Sequence, residues 1–315
     1  MELKNHKIEM ASRAAILYYR FNKSQEETAR ELNVSRSYVS QLLTYARQSG
    51  IVEVNINVNN SYGLEIEFTK KFNIKNVYIM NTTSEEFTRK NIGQFAAPHV
   101  TRLIKNSKII GLNQSNSVLE VLSKLNPNDF CYLKDKIVIQ IMGGCNYGGD
   151  SQSPWLPQEM VYKMGQILNC KHLYLNCPAI VNDKELRDFI LKEQVIKEVT
   201  DYWDKLELVI MGIGMADENS KIFRMLNKSM KDDVKALQGS CEININFFND
   251  KGEYVPVLEE NRISIPYSKL KKTSNKVIVC YDKKKAKAIL AALRADMIDI
   301  LFIDSIVAED ILSLS

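Results

Sequence analysis

Residues 24–48 read SQEETARELNVSRSYVSQLLTYARQ, and this stretch decides the fold of the N-terminal part. Ser24 followed three residues later by Glu27 is a capping-box pattern, in which the serine oxygen accepts the N3 amide and the glutamate reaches back to the cap amide. The spacing predicts a short helix through Thr28, Ala29 and Leu32. Asn33-Val34 makes a tight connection, and Ser35 is a natural N-cap for a further helix that turns Val39, Leu42, Leu43 and Ala46 inward until Gly50 ends it. Two short helices, with small Ala29 where they cross, form a helix-turn-helix pattern. Upstream, Ala14, Ala15, Leu17, Tyr18 and Phe21 make an apolar stripe at helical spacing, stopped by Asn22 and Lys23. Downstream, Ile51 to Val58 alternates apolar and polar residues, as a half-buried strand does.

The polar side chains left outside this core suit a DNA groove. Arg36, Ser37 and Tyr38 fall in the first turn of the second helix, with Ser40, Gln41 and Thr44 along one flank. Arginine pairs bidentately with guanine and glutamine with adenine, while hydroxyls reach phosphates or base edges. Lys23, Arg30 and Arg47 are placed for backbone phosphates. The candidate DNA-binding residues are Lys23, Ser35, Arg36, Ser37, Tyr38, Ser40, Gln41, Thr44 and Arg47, and the expected partner is double-stranded operator DNA. Glu26, Glu27 and Glu31 make the first helix of the pair acidic, which predicts that its face turns away from DNA. The alternative is an ordinary three-helix bundle with a solvated polar face, or a protein-binding use of that face.

The chain has 315 residues, 45% of them hydrophobic. That is too long for a lone DNA-binding module and comfortable for one small and one large domain. A formal charge of +4 is mild, so contact with nucleic acid has to come from a local cluster. No segment approaches the roughly 18 apolar residues of a membrane span, and the N-terminus lacks a signal-peptide core. The six cysteines form no C-x-x-C pair, which fits reduced thiols in a cytoplasmic protein with no metal and no cofactor.

Tyr62 to Phe72 reads as an amphipathic linker helix, so the boundary is set at 1–58 for the helix-turn-helix domain and 59–315 for the larger one. Strands are expected at Val77–Met80, Ile109–Leu112, Ile137–Met142, His172–Leu175, Leu208–Met211, Val277–Cys280 and Ile300–Ile303. Helices are expected between them at Glu86–Lys105, Val118–Leu125, Gln158–Leu168, Lys184–Val199, Lys221–Met230 and Lys283–Arg294. Short apolar strands separated by helices predict an α/β domain with a mostly parallel, Rossmann-like sheet covered on both faces. Such sheets take ligands at the carboxyl ends of their strands.

The stretch from Ala15 to Ile56 resembles the SorC family of sugar-responsive bacterial transcriptional regulators, including its deoxyribonucleoside-type members. The aromatic pair, the S-Q cap, the S-R-x-x-V-S core and the G-I-V strand carry the resemblance. It extends through Gln140-Ile141-Met142-Gly143-Gly144, Pro178-Ala179, Gly212-Ile213-Gly214, Phe247-Phe248 and Ala291-Ala292-Leu293-Arg294. It implies an effector domain similar in fold to sugar-phosphate isomerases but used for binding, with Glu242 where relatives carry an acidic residue facing the sugar and Lys285 where they carry a basic one facing a phosphate. Departures are Gln41 for a usual arginine, Ser115-Asn116-Ser117 for a G-x-T loop, Met142 for a polar residue, and Tyr281-Asp282 for a Gly-rich turn.

The candidate effector-binding residues are Ser115, Asn116, Ser117, Gly143, Gly144, Gly212, Gly214, Glu242 and Lys285, and the expected effector is a sugar or sugar phosphate. Gly143-Gly144 and Gly212-Ile213-Gly214 follow strands and permit close backbone approach, although a lone G-x-G is more often only a tight turn. A half-exposed strand carboxylate and a solvated helix start are the plain alternatives for Glu242 and Lys285. No catalytic residue is assigned: His6, His99 and His172 share no motif with a carboxylate, whereas an isomerase or deaminase needs a positioned base. One helix-turn-helix reads only a half-site, so a homodimer or homotetramer is expected.

Overall fold

The computed structural model describes residues 2–52, 61–131, 133, 135–145 and 157–315, with the side chains of 2–5 left aside. The chain forms two compact units, 1–58 and 59–315.

In the first unit, α1 (Glu2–Ala15) runs on into a π-helical turn, Ile16–Arg20, followed by α2 (Gln25–Leu32) and α3 (Arg36–Gln48). Both Ser24 and Glu27 make their capping-box bonds, and Ser35 caps α3 by accepting from the Tyr38 amide at 3.1 Å. Asn33 takes the left-handed conformation between the helices, φ 53°, which asparagine tolerates better than most residues. Ala11, Ala14, Ala15, Ala29, Val39, Leu42, Leu43 and Ala46 form the core. The wider π turn alters the expected stripe, because Leu17 and Tyr18 are only half-buried and Phe21 is exposed. The strand expected at Ile51–Val58 lies, beyond Val52, outside the described residues.

The second unit opens with α4 (Tyr62–Lys71), then β1 (Asn76–Met80), α5 (Glu85–Lys105), β2 (Ile109–Leu112), α6 (Asn116–Leu122), β3 (Ile137–Gln140), α7 (Pro157–Leu168) and β4 (Lys171–Leu173). It continues through α8 (Lys184–Lys192), α9 (Gln194–Thr200), β5 (Leu208–Met211), β6 (Gly214–Met215), α10 (Lys221–Met225), α11 (Lys228–Ala236), β7 (Gly239–Ile243), β8 (Asn246–Asn249) and β9 (Tyr254–Val255). It closes with α12 (Tyr267–Lys272), β10 (Asn275–Val279), α13 (Ala286–Arg294), β11 (Ile300–Asp304) and α14 (Ser305–Leu314).

Seven strands form one sheet in the order β1-β11-β10-β5-β2-β3-β4, and every recorded pairing in it is parallel. Strands such as β5 and β11 are buried throughout, as continuous apolar strands covered on both faces must be. One core holds Ile139, Val209, Met211, Ile278, Leu301 and Ile303 against α13 and α14; the other holds Ile110, Leu112, Val138, Ile210, Val279 and Phe302 against α5, α6 and α7. Chain order reverses between β2 and β5: from β2 the chain steps outward to β3 and β4, and from β5 it steps the other way to β10 and β11. That reversal opens a crevice at the carboxyl ends of β2 and β5.

Three helices differ from expectation. The helix expected at Lys184–Val199 breaks at Glu193, which is extended, and the one at Lys221–Met230 breaks at Leu226, after which Asn227 caps α11. Lys283–Lys285 is a 3-10 turn preceding α13. An antiparallel sheet, β6-β7-β8-β9, was not expected from the sequence.

Candidate effector site and DNA-reading helix

A cavity of about 410 Å³ lies at the β2/β5 crevice, within the range of small-ligand sites. Asn113 to Ser117 form one wall after β2; Gly212 to Met215 form another after β5; Asn219, Ser220 and Lys221, with Glu242 of β7, come from the smaller sheet and its loop; Tyr281, Asp282, Lys284 and Lys285 precede α13. Of the sequence candidates, Ser115, Asn116, Ser117, Gly212, Gly214, Glu242 and Lys285 therefore share one cavity.

Both glycines of the β5 loop are there because a neighbour occupies the space of a side chain. A Cβ on Gly212 would lie 2.3 Å from Ser115 Oγ, and one on Gly214 would lie 2.7 Å from Glu242 Oε2. The Gly212 amide donates to Asn113 Oδ1 at 3.1 Å, tying the two loops together. Ser115 makes no side-chain cap on α6.

Gly143 and Gly144 are not among the residues lining this cavity. Their amides are taken, Gly143 donating to the Ile263 carbonyl at 2.9 Å and Gly144 to the Cys177 carbonyl at 2.7 Å. The double glycine stitches the end of β3 to neighbouring chain, and Met142 stands at the cavity instead. Asn219, Ser220, Lys221 and Tyr281 were not singled out as ligand contacts; the first three lie around the N-cap and start of α10, where Ser220 caps the helix after a polar segment.

Glu242 is strongly perturbed in the cavity. It is buried, and burial pushes its carboxyl up to about 7, against the opposing influence of the Ile245 amide, which donates to Oε1, and of the Lys285 ammonium. Cys280, also at the cavity, has its thiol raised by burial. A carboxyl whose protonated form is favoured by burial can donate as well as accept hydrogen bonds, and it stands here beside hydroxyls, amides and lysines.

Histidines lie elsewhere. His99 of α5 packs at a tilt against Tyr78, 3.9 Å between ring centroids, and burial lowers its pKa. His172 of β4 is 3.0 Å from the Cys170 carbonyl. Burial raises the Cys170 thiol to about 11, which keeps it protonated and inert.

In the first unit, Ser35, Arg36, Ser37, Ser40, Gln41, Thr44 and Arg47 are exposed and Tyr38 and Lys23 half-exposed. They lie along the outside of α3 and its approach, while Val39, Leu42, Leu43 and Ala46 fill the core. The acidic residues of α2 do not stand apart from the basic ones. Glu26 sits 3.7 Å from Arg36, and Glu31 pairs with Lys23.

Residues 57–313 match the Sugar-bind family, described as "Putative sugar-binding domain". The chain belongs to this family. Residues 12–49 match sigma-70 region 4, over the span of the helix-turn-helix. Beyond the Sugar-bind domain, the likeness runs the length of the chain. The sorbitol operon regulator of Klebsiella pneumoniae is 26% identical over 309 residues, covering 96% of this chain and 97% of the relative. The deoxyribonucleoside regulator of Bacillus subtilis is 20% identical over 309 residues, covering 96% of each. The crystal structure of full-length SorC from Klebsiella pneumoniae superposes with a TM-score of 0.73 at 27% identity, covering 98% of this chain and 99% of that one. This Sugar-bind chain is thereby of SorC type in both its parts. Among the described residues no helix is long and apolar enough to cross a membrane.

Proposed function

We propose that this Sugar-bind family chain is a DNA-binding transcriptional regulator whose operator affinity is set by a small carbohydrate-type effector. The observation that carries the reading is the polar cavity at the β2/β5 crevice of a sugar-binding domain that shares its chain with a helix-turn-helix. The first unit, 1–58, reads DNA through Arg36, Gln41 and their neighbours on α3, with Lys23, Ser35 and Arg47 on phosphates; the second, 59–315, binds effector and assembles the oligomer. Ser115, Asn116, Ser117, Gly212, Gly214, Glu242 and Lys285 form the effector site, with Asn219, Ser220, Lys221 and Tyr281 added. Gly143 and Gly144 serve to anchor the segment that carries Met142, through the carbonyls of Ile263 and Cys177.

The effector is a sugar or sugar phosphate held without a covalent bond. Lys284 and Lys285 favour an anionic end and Glu242 a hydroxyl-rich one. A dimer or tetramer fits symmetric operators, and the protein acts in the cytoplasm, where DNA and metabolites meet. The Glu242 carboxyl near neutrality also suits a general base, so turnover is the second reading. Thermal unfolding of the full-length protein with a panel of sugars, polyols and their phosphates tests both. A ligand at a hundred times its Kd should stabilise the fold by about 2.7 kcal/mol and be recovered unchanged. Conversion of the ligand would establish an enzyme; no shift with any member would remove the carbohydrate assignment.

A further inference from the structure

Glu242 is joined through β7 to a hairpin turn that its sequence does not favour. β7 ends at Ile243 and β8 starts at Asn246, so the turn has two central residues, Asn244 and Ile245, with φ of 52° and 62°. Two-residue turns with positive φ at both positions match the twist of the flanking strands, and asparagine followed by glycine is their usual sequence. A β-branched isoleucine at positive φ crowds its own backbone. It persists only where the surroundings hold it.

What holds it is a buried polar clamp. Ser264 Oγ donates to the Asn244 carbonyl at 2.8 Å. Asn246 Nδ2 donates to the carbonyls of Ile243, Asn244 and Ile265 at 3.0, 3.1 and 3.2 Å. Arg262 donates to Asn246 Oδ1 and lies 3.4 Å from the Ile245 carbonyl, with its guanidinium over the Tyr254 ring and 4.0 Å from Glu259. Asn246, Ser264 and Arg262 are all buried. Burying a guanidinium and two further polar side chains is expensive unless each is bonded, and a plain Asn-Gly hairpin would need none of them. The consequence of the held turn is the direction of one amide: Ile245 N–H donates to Glu242 Oε1, while Oε2 lies on the side of Gly214 and the cavity.

We propose that Arg262, Asn246 and Ser264 are positioning residues for effector recognition, clamping the Asn244–Ile245 turn so that its amide fixes one oxygen of Glu242 and leaves the other to accept a hydroxyl of a polyhydroxy ligand. This rests on the cavity being the effector site. Neither Arg262 nor Ser264 lines the cavity, and their side chains act on it through the turn and Glu242.

The test follows the carboxyl itself. Full-length protein labelled with carbon-13 at glutamate carboxyl carbons is titrated by NMR, and the Glu242 signal is assigned by its loss in Glu242→Gln. In wild type it is expected to titrate at about 7. The amide bond to Oε1 favours the charged form, so loosening the turn in Ser264→Ala or Arg262→Met shifts the Glu242 titration upward, by about one pH unit. Ser264→Ala changes no charge, which separates loss of positioning from loss of the guanidinium's field; it decides alone if Arg262→Met does not fold. An unchanged Glu242 titration in folded Ser264→Ala overturns the proposal. The titration needs no ligand, so failure of the effector reading, seen as no thermal shift with any sugar or phosphate, is a separate result.

Discussion

Gly214 and Glu242 face each other across the antiparallel β6–β7 pair, and a side chain on Gly214 would meet the Glu242 carboxylate 2.7 Å away. A side chain on Gly212 would likewise meet the Ser115 hydroxyl, 2.3 Å away. The two ends of the Gly-Ile-Gly loop thus make room for one polar group each, and both groups line one cavity.

Gly214→Ala should therefore displace the carboxylate of Glu242 and weaken effector binding by about tenfold or more, a loss of about 1.4 kcal/mol. Affinity for DNA without effector should be unchanged, since the substitution lies in the second unit. Isothermal titration with the ligand found by the thermal screen, beside a mobility-shift titration without it, checks both halves.

Glu242 also predicts how stability depends on pH. Its folded-state value of about 7 lies above its ordinary 4.5, so between these values the native state binds more protons than the unfolded chain. The contribution favours folding at low pH and is lost as pH rises from about 4.5 to about 7. Glu242→Gln removes that loss and should raise stability at pH 8 relative to wild type, by up to about 3 kcal/mol. Denaturant unfolding of both proteins at pH 5 and pH 8 reads it. A wild-type stability that falls no faster than that of Glu242→Gln across this window would contradict the assignment.

Much of this site was legible in the sequence, and the parts that were not have identifiable causes. Parallel strands such as β2 and β5 announce themselves as short apolar runs, and the polar or Gly-containing segments after them mark the crevice. Gly143 and Gly144 look alike to Gly212 and Gly214 in sequence, yet they differ in where their amides go, a matter of long-range pairing with Ile263 and Cys177. The smaller sheet was hidden because its central hairpin turns at Asn244-Ile245 and not at Asn-Gly. Without a glycine, residues 241–247 read as one alternating run. The pairing of Glu26 with Arg36 joins positions ten apart on different helices, which helical periodicity within either one does not reveal.

On the DNA side, Arg36→Ala should cost about 1 to 3 kcal/mol on the selected operator and relax its sequence preference, whereas Lys23→Ala should weaken all DNA alike and reduce the salt slope. Both cations are exposed or half-exposed and pair with surface carboxylates, pairs too weak to hold them from phosphate or base. Mobility-shift titrations on operator and on unrelated duplex at several salt concentrations distinguish the two roles. Equal operator affinity for wild type and Arg36→Ala would remove Arg36 from the reading set.

The capping box at Ser24 is an independent check on the first unit. Ser24→Ala leaves the Glu27 amide without its partner, and should destabilise the unit by about 1 kcal/mol. Glycine at the same place should cost only a few tenths. Denaturant unfolding of the full-length protein, followed through an amide probe on α2, measures the difference.

The central claim, that one cavity in the Sugar-bind domain controls DNA binding by the helix-turn-helix, is tested most directly by fluorescence anisotropy. Full-length wild type and a Glu242→Ala/Lys285→Ala variant are titrated onto the duplex that the protein selects from a random pool, with and without the stabilising sugar or sugar phosphate. The account predicts that the ligand changes wild-type affinity by about 5- to 150-fold, a coupling of 1 to 3 kcal/mol, and leaves the variant's unchanged, with equal ligand-free affinity for both. Equal responses of wild type and variant would contradict it.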